Sequence, residues 1–511
     1  MHSEPAPPRP PARPARPASR HRWLDLALPL GLALLAGLVG ELIRARVHPG
    51  LPIGNDIDLW SLAAVQLHRG LSGVVQPGYP AVAALLMHLP GVDHLRATST
   101  LSAVGMALVP PASWLLARRL GAGRWAATWA GLLVIATPRL VITGLIVSPD
   151  ALAALGLLGV ALAAARLDGS HRERHVALLV FATAALFAVR EHGLPCAGVV
   201  AVLLVALPGP LDVRLLRVGG LAAGMLLLPA VLGNDFELGE PPWWSRFEMV
   251  FRDFLAREPS WVTKGGPDAP TNSCLGLALF ALRGAPWAWL WVGLGLGGAW
   301  LARVRRVAWV ALVPVLPALV VFSQPRHVLV AVPVAAALIA AGAARLAPGL
   351  RAGFFAFATL AAGIGLAREV PLARTHLADM VAQATDLRTL GEDLCAANGG
   401  DGMSAGDSRA FTFCPQPWYN LTAPATTAAW KVLVVDDRRP GEGWERVALP
   451  RARRSVFQLE SPTGERPCAT SHVPAGLSVL SQGSGNPELE PPCAASLPMG
   501  VGPTPRGAPP R

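Results

Sequence analysis

Apolar runs of membrane-spanning length recur between residues 24 and 367, and they constrain the fold more than any other feature of the sequence. A helix of about 17–25 apolar residues can cross the hydrocarbon core of a bilayer. We therefore expect an all-α polytopic membrane protein with about eleven transmembrane helices. The first extends from about Leu24 to Ile43, and the others are expected near 98–117, 125–142, 150–165, 176–189, 194–208, 218–233, 285–302, 307–322, 328–344 and 352–367.

The composition agrees with a membrane protein and argues against a soluble enzyme. Apolar residues make up 52% of the chain and charged residues only 15%, whereas soluble domains carry about 25% charged residues. The net charge of +11 comes almost wholly from arginine, and most of the arginines flank apolar runs, as the positive-inside rule requires. The positive charge therefore does not predict nucleic acid as a partner. Abundant Ala, Gly and Pro, with Lys264 and Lys431 as the only lysines, are typical of a high-GC bacterial protein.

Arginine-rich connectors predict the orientation in the membrane. Residues 1–22 form a Pro/Arg/Ala tail that is expected to be disordered and cytoplasmic. The first span has no small-residue cleavage site and is expected to stay uncleaved. If the runs Tyr79–Leu89 and Leu275–Leu282 do not cross, alternate threading places every short arginine-rich connector inside the cell. These connectors contain Arg118, Arg119 and Arg124; Arg166, Arg172 and Arg174; Arg214 and Arg217; Arg303, Arg305 and Arg306; and Arg345 and Arg351.

The stretch Gly54–Trp60 follows the first span and carries two carboxylates, Asp56 and Asp58, on the outer side. Residues two apart on an extended backbone point the same way, so we expect a loop with both acids on one side. Such a pair can hold a divalent cation, or one member can accept a proton from a hydroxyl group. The alternative is an ordinary solvated acidic loop.

Further polar residues are expected at the same outer face. They are Tyr79, Arg139, Asp150, Arg190, His192, Arg326 and His327. Each group also has an ordinary structural explanation. Asp150 follows a proline and fits a helix N-cap, the arginines can anchor span ends, and the histidines can be interface residues. Because all of them converge on one face, we interpret them together as a candidate substrate site.

Several short motifs, in a fixed order, resemble those of the membrane glycosyltransferases of the GT-C fold. The nearest relatives are the protein O-mannosyltransferases and the bacterial aminoarabinose–lipid A transferases. The similar segments lie within about residues 24–345. They are the acidic Asp56-Ile57-Asp58 and the short Pro/Tyr-containing helix after it, the arginine-led span from Arg96 to the Ala117-Arg118-Arg119-Leu120 end, Ser148-Pro149-Asp150-Ala151-Leu152 (similar to R-P-D-A-L), Arg190-Glu191-His192-Gly193 (similar to K-x-x-G), and Pro325-Arg326-His327 (similar to a late R-Y pair).

The sequence departs from the family pattern at three places. Many relatives have adjacent Asp and Glu where this chain has Asp56 and Asp58, so the identity of the base stays open between the two. Ser148 replaces an arginine, and Gln76 lies near the place of a lysine that often precedes the short helix.

The resemblance implies transfer of a sugar from a polyprenyl-phosphate donor at the outer face of the bacterial inner membrane. Asp56 is expected to be the catalytic base and Asp58 its helper, with Mg²⁺ or Mn²⁺ held by both as an alternative; no cofactor is otherwise required. Arg326, Arg190 and Arg139 are expected to contact the donor phosphate, in that order of preference. Asp150, His192, His327 and Tyr79 complete the expected substrate site.

The chain becomes polar after about residue 370. We expect an amphipathic helix at Leu377–Cys395 and a buried strand at Lys431–Val435 in a small extracytoplasmic α/β domain. An even count of cysteines there favours disulfides, Cys395–Cys414 and Cys468–Cys493 by proximity. The expected domains are a tail at 1–22, a transmembrane catalytic domain at 23–369, the soluble domain at 370–481 and a disordered tail at 482–511.

The leading hypothesis is a glycosyltransferase that moves a hexosyl or pentosyl group to a lipid, glycan or protein acceptor. A carrier or flippase for a lipid-linked glycan is a second hypothesis, but it predicts polar residues in mid-membrane, and the expected spans contain no ionisable residue away from their ends. A non-catalytic assembly subunit with the same fold is the third. The donor sugar, acceptor and stereochemical outcome do not follow from the sequence.

Overall fold

Helices make up most of the described chain. The computed structural model describes residues 23–47, 52–54, 57–70, 76–167, 172–190, 192–233, 285–312 and 326–398, and four strands beyond them. The helices are α1 (Leu24–Val47), α2 (Ile57–His68), α3 (Gly78–Leu86), α4 (His94–Arg119), α5 (Arg124–Ile135), α6 (Pro138–Ile142), α7 (Asp150–Ala164), α8 (Arg172–Val189), α9 (Gly193–Ala206), α10 (Leu211–Val231), α11 (Pro286–Leu301), α12 (Arg305–Ala311), α13 (Arg326–Leu329), α14 (Val332–Ala343) and α15 (Pro348–Asn398).

Three of these helices are long and apolar enough to cross a membrane on their own. They are α1, α4 and the Pro348–Ala382 part of α15, while α7, α9 and α14 are shorter apolar helices. Only 11% of the α1 window and 17% of the α15 window is buried inside the protein, against 61% for α4. The apolar surface of α1 and α15 therefore faces outward, as expected for helices in contact with lipid. The chain is a multi-pass helical membrane protein, and the count of eleven spans stays a prediction.

Two expected spans are interrupted. The run 125–142 forms α5 and α6, separated at Thr137, whose backbone is extended because Pro138 follows it and disfavours helical geometry. The run 328–344 is likewise divided between α13 and α14, with a proline at the start of α14. An uninterrupted helix at either place was the wrong expectation, since proline acts locally whatever the hydropathy of the run.

The short helix α3 has nine residues, which is about 13 Å at 1.5 Å per residue. It cannot cross a hydrocarbon core of about 30 Å, in agreement with the expectation for Tyr79–Leu89. The second run expected not to cross, Leu275–Leu282, lies outside the described residues.

Helix α14 lies at the centre of the packing, with every one of its residues buried. Its alanines and Gly342 let α11 approach closely: a Cβ atom added at Gly342 would lie 2.5 Å from the Cα of Gly298. Small residues at such a crossing are the usual means by which membrane helices gain van der Waals contact. A hydrogen bond from Ser113 Oγ to the carbonyl oxygen of Pro333, 2.8 Å long, joins α4 to α14.

A charged contact joins the first turn of α1 to α4 and α5. Asp25 accepts two hydrogen bonds of 2.8 Å from Arg124, at the start of α5, and lies 3.8 Å from Arg118 near the end of α4. All three residues lie at the end of the bundle that the arginine pattern assigns to the cytoplasm. The paired fork geometry holds the two helix ends together more specifically than a single contact does.

Helix α15 continues for 51 residues, far beyond the expected span 352–367. The separate helix expected at Leu377–Cys395 is therefore the second half of one helix, and the expected domain boundary at residues 369–370 falls inside it. Pro371 does not end the helix, although proline costs about 3 kcal/mol in a helix interior. Ala373, Leu377, Met380 and Ala384 share a buried apolar cluster with Ile53, Ile57 and Trp60, and this packing compensates for the proline.

A four-stranded antiparallel sheet follows in the chain. Its strands are β1 (Lys431–Asp436), β2 (Glu445–Ala448), β3 (Ser455–Glu460) and β4 (Ser478–Leu480), in the order β1-β3-β2-β4. β1 coincides with the expected strand at Lys431–Val435. The side chain of Cys395, the cysteines Cys414, Cys468 and Cys493, and the tails 1–22 and 482–511 lie outside the described residues, so the disulfides and the division into domains stay predictions.

Candidate functional site

Ends of separate helices meet at one place in the bundle and bring polar side chains together. Asp150 is the first residue of α7, Arg190 follows the last residue of α8, and His192 directly precedes α9. Arg326 and His327 begin α13. We call Asp150, Arg190, His192, Arg326 and His327 the buried polar cluster.

Asp150 and Arg190 form the core of this cluster. An arginine nitrogen (NH2) lies 3.2 Å from the carboxylate Oδ1, and the two side chains are only 5% and 3% exposed. The carboxylate also lies at the N-terminal end of α7, where the helix dipole favours negative charge. Two charges this deeply buried must be paired, because an unpaired one costs several kcal/mol.

The alternative explanation of Asp150 as a helix N-cap does not hold. The N-cap is Pro149, and no side chain caps that end of α7. The backbone N–H of Asp150 instead donates to Ser148 Oγ over 3.2 Å, which leaves the carboxylate available for Arg190.

Two histidines from distant parts of the chain form a pair beside this ion pair. Nε2 of His192 lies 3.2 Å from the backbone oxygen of His327 and 3.4 Å from its Nδ1, across 135 residues of sequence. The ring centroids are 5.0 Å apart, and both side chains are buried. The charges of Arg326 and His327 act on Asp150 as well, and His192 is linked to these groups through His327.

Trp60 connects the start of α2 to the buried polar cluster. Its ring centroid lies 5.8 Å from the guanidinium carbon of Arg190 and 5.9 Å from the ring of Tyr79, which it meets edge to face. Contacts of both kinds are attractive because the face of an aromatic ring carries negative charge and its edge positive charge. Trp60 is 3% exposed, so both contacts are shielded from water.

Tyr79 is fully buried and holds α3 against α4. Its hydroxyl donates to the carbonyl oxygen of Thr98 over 2.7 Å and lies 2.9 Å from Ser102 Oγ. Ser102 Oγ in turn donates to the carbonyl oxygen of Ser148 over 3.1 Å. Burial raises the pKa of Tyr79, so the phenol stays protonated and acts as a hydrogen-bond donor. It supports the segment before Asp150 through Ser102.

The first loop is attached to that same segment by backbone contacts. Ile53 and Ile146 form an isolated parallel bridge, and the N–H of Val147 donates to the carbonyl oxygen of Ile53 over 2.7 Å. Ile53 lies three residues before Asp56 in the sequence, and Val147 three residues before Asp150. The loop that carries the acidic pair therefore begins beside the segment that leads into α7.

The expected extended conformation of the acidic pair was wrong at its second half. Ile57 and Asp58 are the first two residues of α2, and helix positions two apart do not point the same way. The physical reason is the apolar pattern that begins at Ile57: Ile57, Trp60, Ser61 and Ala64 are all buried, at the i, i+3, i+4 and i+7 spacing of a helix face. Asp56 lies outside the described residues, as does the side chain of Asp58.

Arg139 lies next to helix α15. It lies on α6, which packs against α15, and its charge acts on Glu369 and His376 of that helix. The structure therefore brings together six of the expected residues, Tyr79, Asp150, Arg190, His192, Arg326 and His327, and places Arg139 on α6, which contacts both α13 and α15.

Sequence reasoning missed Trp60, Ser102 and Ser148 as site residues. Trp60 carries a detectable signal, since it lies one helical turn after Ile57 and two residues after Asp58. Ser102 has no such signal, because its contact with Ser148 spans 46 residues.

The cluster is suited to binding an anion. Its described members include two guanidinium groups and one carboxylate, and arginine can bind phosphate through two parallel hydrogen bonds. Among the described residues, no group of three or more His, Cys, Asp or Glu side chains is arranged to hold a metal ion. The cation expected at Asp56 and Asp58 stays a prediction, because it depends on residues outside that range.

Comparison with solved structures identifies the fold. The chain is similar to the crystal structure of ArnT, an aminoarabinose transferase from Cupriavidus metallidurans, bound to undecaprenyl phosphate, with 14% identity and a TM-score of 0.53 over 86% of this chain and 98% of that one. The apo state of the same protein gives 14% identity and a TM-score of 0.46 over 86% and 99%. The archaeal oligosaccharyltransferase AglB from Archaeoglobus fulgidus, in complex with an inhibitory peptide and a dolichol-phosphate, gives 13% and 0.44 over 70% and 56%.

No family model matches the sequence, and no curated protein matches it either. The similarity in structure to ArnT is thus a similarity of fold at low sequence identity. It confirms the expected GT-C fold.

Proposed function

We propose, on the premise that the chain has the GT-C fold, that it is a glycosyltransferase that uses a polyprenyl-phosphate sugar as donor. The sugar is a hexosyl or pentosyl group, and the acceptor is a hydroxyl of a lipid, glycan or protein. Transfer takes place at the outer face of a bacterial inner membrane. The solved structure with the same fold contains a polyprenyl phosphate, and this supports the choice of donor class.

The observation that carries the proposal is the meeting of the buried polar cluster with the start of α2. Trp60 contacts Arg190, and the chain directly before α2 carries Asp56. The buried polar cluster also contains Arg326, whose guanidinium is suited to phosphate, so this cation and a carboxylate suited to proton transfer belong to the same part of the bundle. A transfer of a sugar from phosphate to a hydroxyl group needs both.

The proposed reaction is a substitution at the anomeric carbon of the donor sugar. The acceptor oxygen forms a bond to that carbon, the bond from carbon to the phosphate oxygen breaks, and the lipid leaves as polyprenyl phosphate. Asp56, with Asp58 as helper, takes the proton of the acceptor hydroxyl. Arg326 stabilises the negative charge that develops on the departing phosphate, as hydrogen-bond donors do in other transferases.

A carrier for a lipid-linked glycan is less well supported. Carriers place ionisable residues near the bilayer midplane, whereas the expected spans contain no ionisable residue away from their ends. A non-catalytic subunit with the same fold would not need Asp56 and Asp58 for its role, whereas the proposed enzyme needs them for sugar transfer.

The proposal is tested by incubating membranes that contain the protein with a panel of labelled polyprenyl-phosphate sugars and following loss of label from the lipid. The wild type should transfer at least one sugar. Asp56→Asn keeps the size of the side chain but removes the proton acceptor, and it should slow turnover by about 10²–10⁴-fold. Asp58→Asn should have a smaller effect if Asp58 is only a helper.

Raised Mg²⁺ or Mn²⁺ separates the two roles of the acids. Partial rescue of both variants by the cation indicates that the pair holds a metal, and no rescue indicates a base. Full transfer by a folded protein with both substitutions would contradict the assignment of this loop to the active site.

A further inference from the structure

Arg190 is enclosed on two sides within the buried polar cluster. One of its nitrogens lies 3.2 Å from the Asp150 carboxylate, and its guanidinium carbon lies 5.8 Å from the centre of the Trp60 ring. Its side chain is 5% exposed, whereas Arg326 is only partly buried. The two contacts hold the guanidinium of Arg190 in place between α2 and the start of α7.

The contacts of Trp60 form part of a closed circuit. Its ring meets Tyr79 at 5.9 Å, and the Tyr79 hydroxyl lies 2.9 Å from Ser102 Oγ. Ser102 Oγ donates to the backbone oxygen of Ser148, and Ser148 Oγ accepts from the N–H of Asp150. Asp150 pairs with Arg190, and the contact between Arg190 and Trp60 closes the circuit.

This circuit links four helices and has one member next to the acidic pair. Trp60 lies on α2, Tyr79 on α3, Ser102 on α4 and Asp150 at the start of α7. Since Trp60 is within the first turn of α2, its position fixes where α2 begins, and Asp56 directly precedes that helix.

We propose that Trp60, Arg190 and Asp150 form a buried brace that positions the acidic pair relative to the donor, and that Trp60 and Arg190 are positioning residues while Arg326 contacts the donor phosphate. This inference rests on the proposed function. The brace fixes the start of α2, the helix that Asp56 directly precedes in the sequence, against Arg190 and the start of α7. A displacement of about 1 Å at a reacting group can slow a reaction by about 10²-fold.

The chain contains a matched control for Trp60. Trp114 is also 3% exposed and also lies 5.8 Å from a guanidinium carbon, that of Arg118. It lies near the other end of α4, one turn from Arg118, away from the buried polar cluster. A substitution of Trp114 therefore removes an equally buried indole with an equally distant arginine, but not the brace.

The first test measures kcat and the KM for the polyprenyl-phosphate sugar that the wild type uses. Trp60→Leu should lower kcat by about 10²-fold with little change in donor KM, and Trp60→Phe, which keeps an aromatic face, should recover most of the loss. Arg326→Gln should raise the donor KM. Trp114→Leu should lower thermal stability without a selective loss of kcat.

Two outcomes of this test contradict the brace. One is a rise in donor KM for Trp60→Leu at unchanged kcat, which would make Trp60 a donor-binding residue. The other is an equal change of kcat and donor KM in Trp60→Leu and Trp114→Leu. It would show that the loss of any buried tryptophan ring has the same effect.

A second test does not depend on activity and keeps the two proposals separate. The melting temperature of the purified full-length protein is compared for Trp60→Leu, Arg190→Lys and the double variant. Lysine keeps the charge opposite Asp150 but has no planar face to lie against an indole. The double variant should lose clearly less than the sum of the single losses, because both substitutions remove the same contact.

Additive losses would overturn the brace even if the enzyme is active. If instead the wild type transfers no sugar from the whole donor panel, the proposed function fails, and the melting temperatures alone still decide whether Trp60 and Arg190 are coupled.

Discussion

Single buried charges decide which of several plausible roles a residue takes. Asp150 fits an N-cap by its position in the sequence, and such a cap contributes about 1 kcal/mol. An arginine buried without its partner costs about 3–5 kcal/mol, so pairing with Arg190 is the larger effect. The structure shows the pair and no side-chain cap.

This difference predicts the effect of neutralising Asp150. Asp150→Asn should destabilise the protein by about 3–5 kcal/mol, because it leaves Arg190 buried beside a neutral amide. The matched control is Asp212→Asn, since Asp212 also lies in the first turn of a helix, α10, but is exposed. Thermal unfolding of the purified variants measures both.

The ion pair can also be removed as a whole. The double variant Asp150→Leu/Arg190→Met should be markedly more stable than Asp150→Asn, since replacing both charges by apolar groups avoids the unpaired charge. Equal melting temperatures for Asp150→Asn and Asp212→Asn would show that the buried ion pair contributes no more to stability than an exposed aspartate does.

At the scale of helices, close approach of backbones determines which pairs can pack. Helix α14 meets α11 where Gly342 faces Gly298, and any Cβ added at Gly342 would lie 2.5 Å from the Cα of Gly298. Real Cβ atoms do not come that close, so the crossing requires glycine at this position. Gly159 of α7 is the opposite case, because a new Cβ there would have no neighbour within 4 Å.

Substitution by alanine should therefore change the stability of the protein in opposite directions at Gly342 and at Gly159. Gly342→Ala should destabilise the protein by about 1–3 kcal/mol, because the helices must move apart. Gly159→Ala should be neutral or stabilise by up to about 1 kcal/mol, since alanine favours helix. Thermal unfolding in detergent distinguishes them, and a stable Gly342→Ala variant would contradict the observed helix crossing.

At the scale of the whole molecule, the arrangement of the site depends on the orientation in the membrane. The cluster and the first loop lie at one end of the bundle, and the Asp25–Arg124–Arg118 contact lies at the end that the arginine pattern assigns to the cytoplasm. Helix α15 extends well beyond the length needed to cross and packs next to the first loop. Its far end should therefore lie on the same side as the site.

Reporter fusions test this orientation. Fusions after Arg119, Arg172, Arg305 and Arg351 should report the cytoplasm, and fusions near Leu71, Gly265 and Asn398 the outer compartment, because short arginine-rich connectors stay inside. Fusions that remain folded and active supply the control. A cytoplasmic signal near Gly265 or Asn398 would contradict the orientation and would require one span more or fewer.

The sequence by itself determined the features that depend on short stretches of chain. Hydropathy and arginine spacing predicted a helical membrane protein, the end positions of Asp150, Arg190 and Arg326, and the short helix at Tyr79, because helix length and amphipathic pattern are local properties. Local reasoning failed where a proline interrupted an apolar run, as at Thr137, and where a helix pattern overrode an acidic motif, as at Asp58.

Only the tertiary structure decided which of these ends meet. The contact between His192 and His327 spans 135 residues, and the contact of Trp60 with Arg190 depends on how α2, α3 and α8 pack together. Nothing local in the sequence favours one such partner over another, since many buried groups compete for each cation. The choice follows from the burial of charge: each arginine in the interior needs an anion or an aromatic face nearby, and only the packed helices determine which one lies within reach.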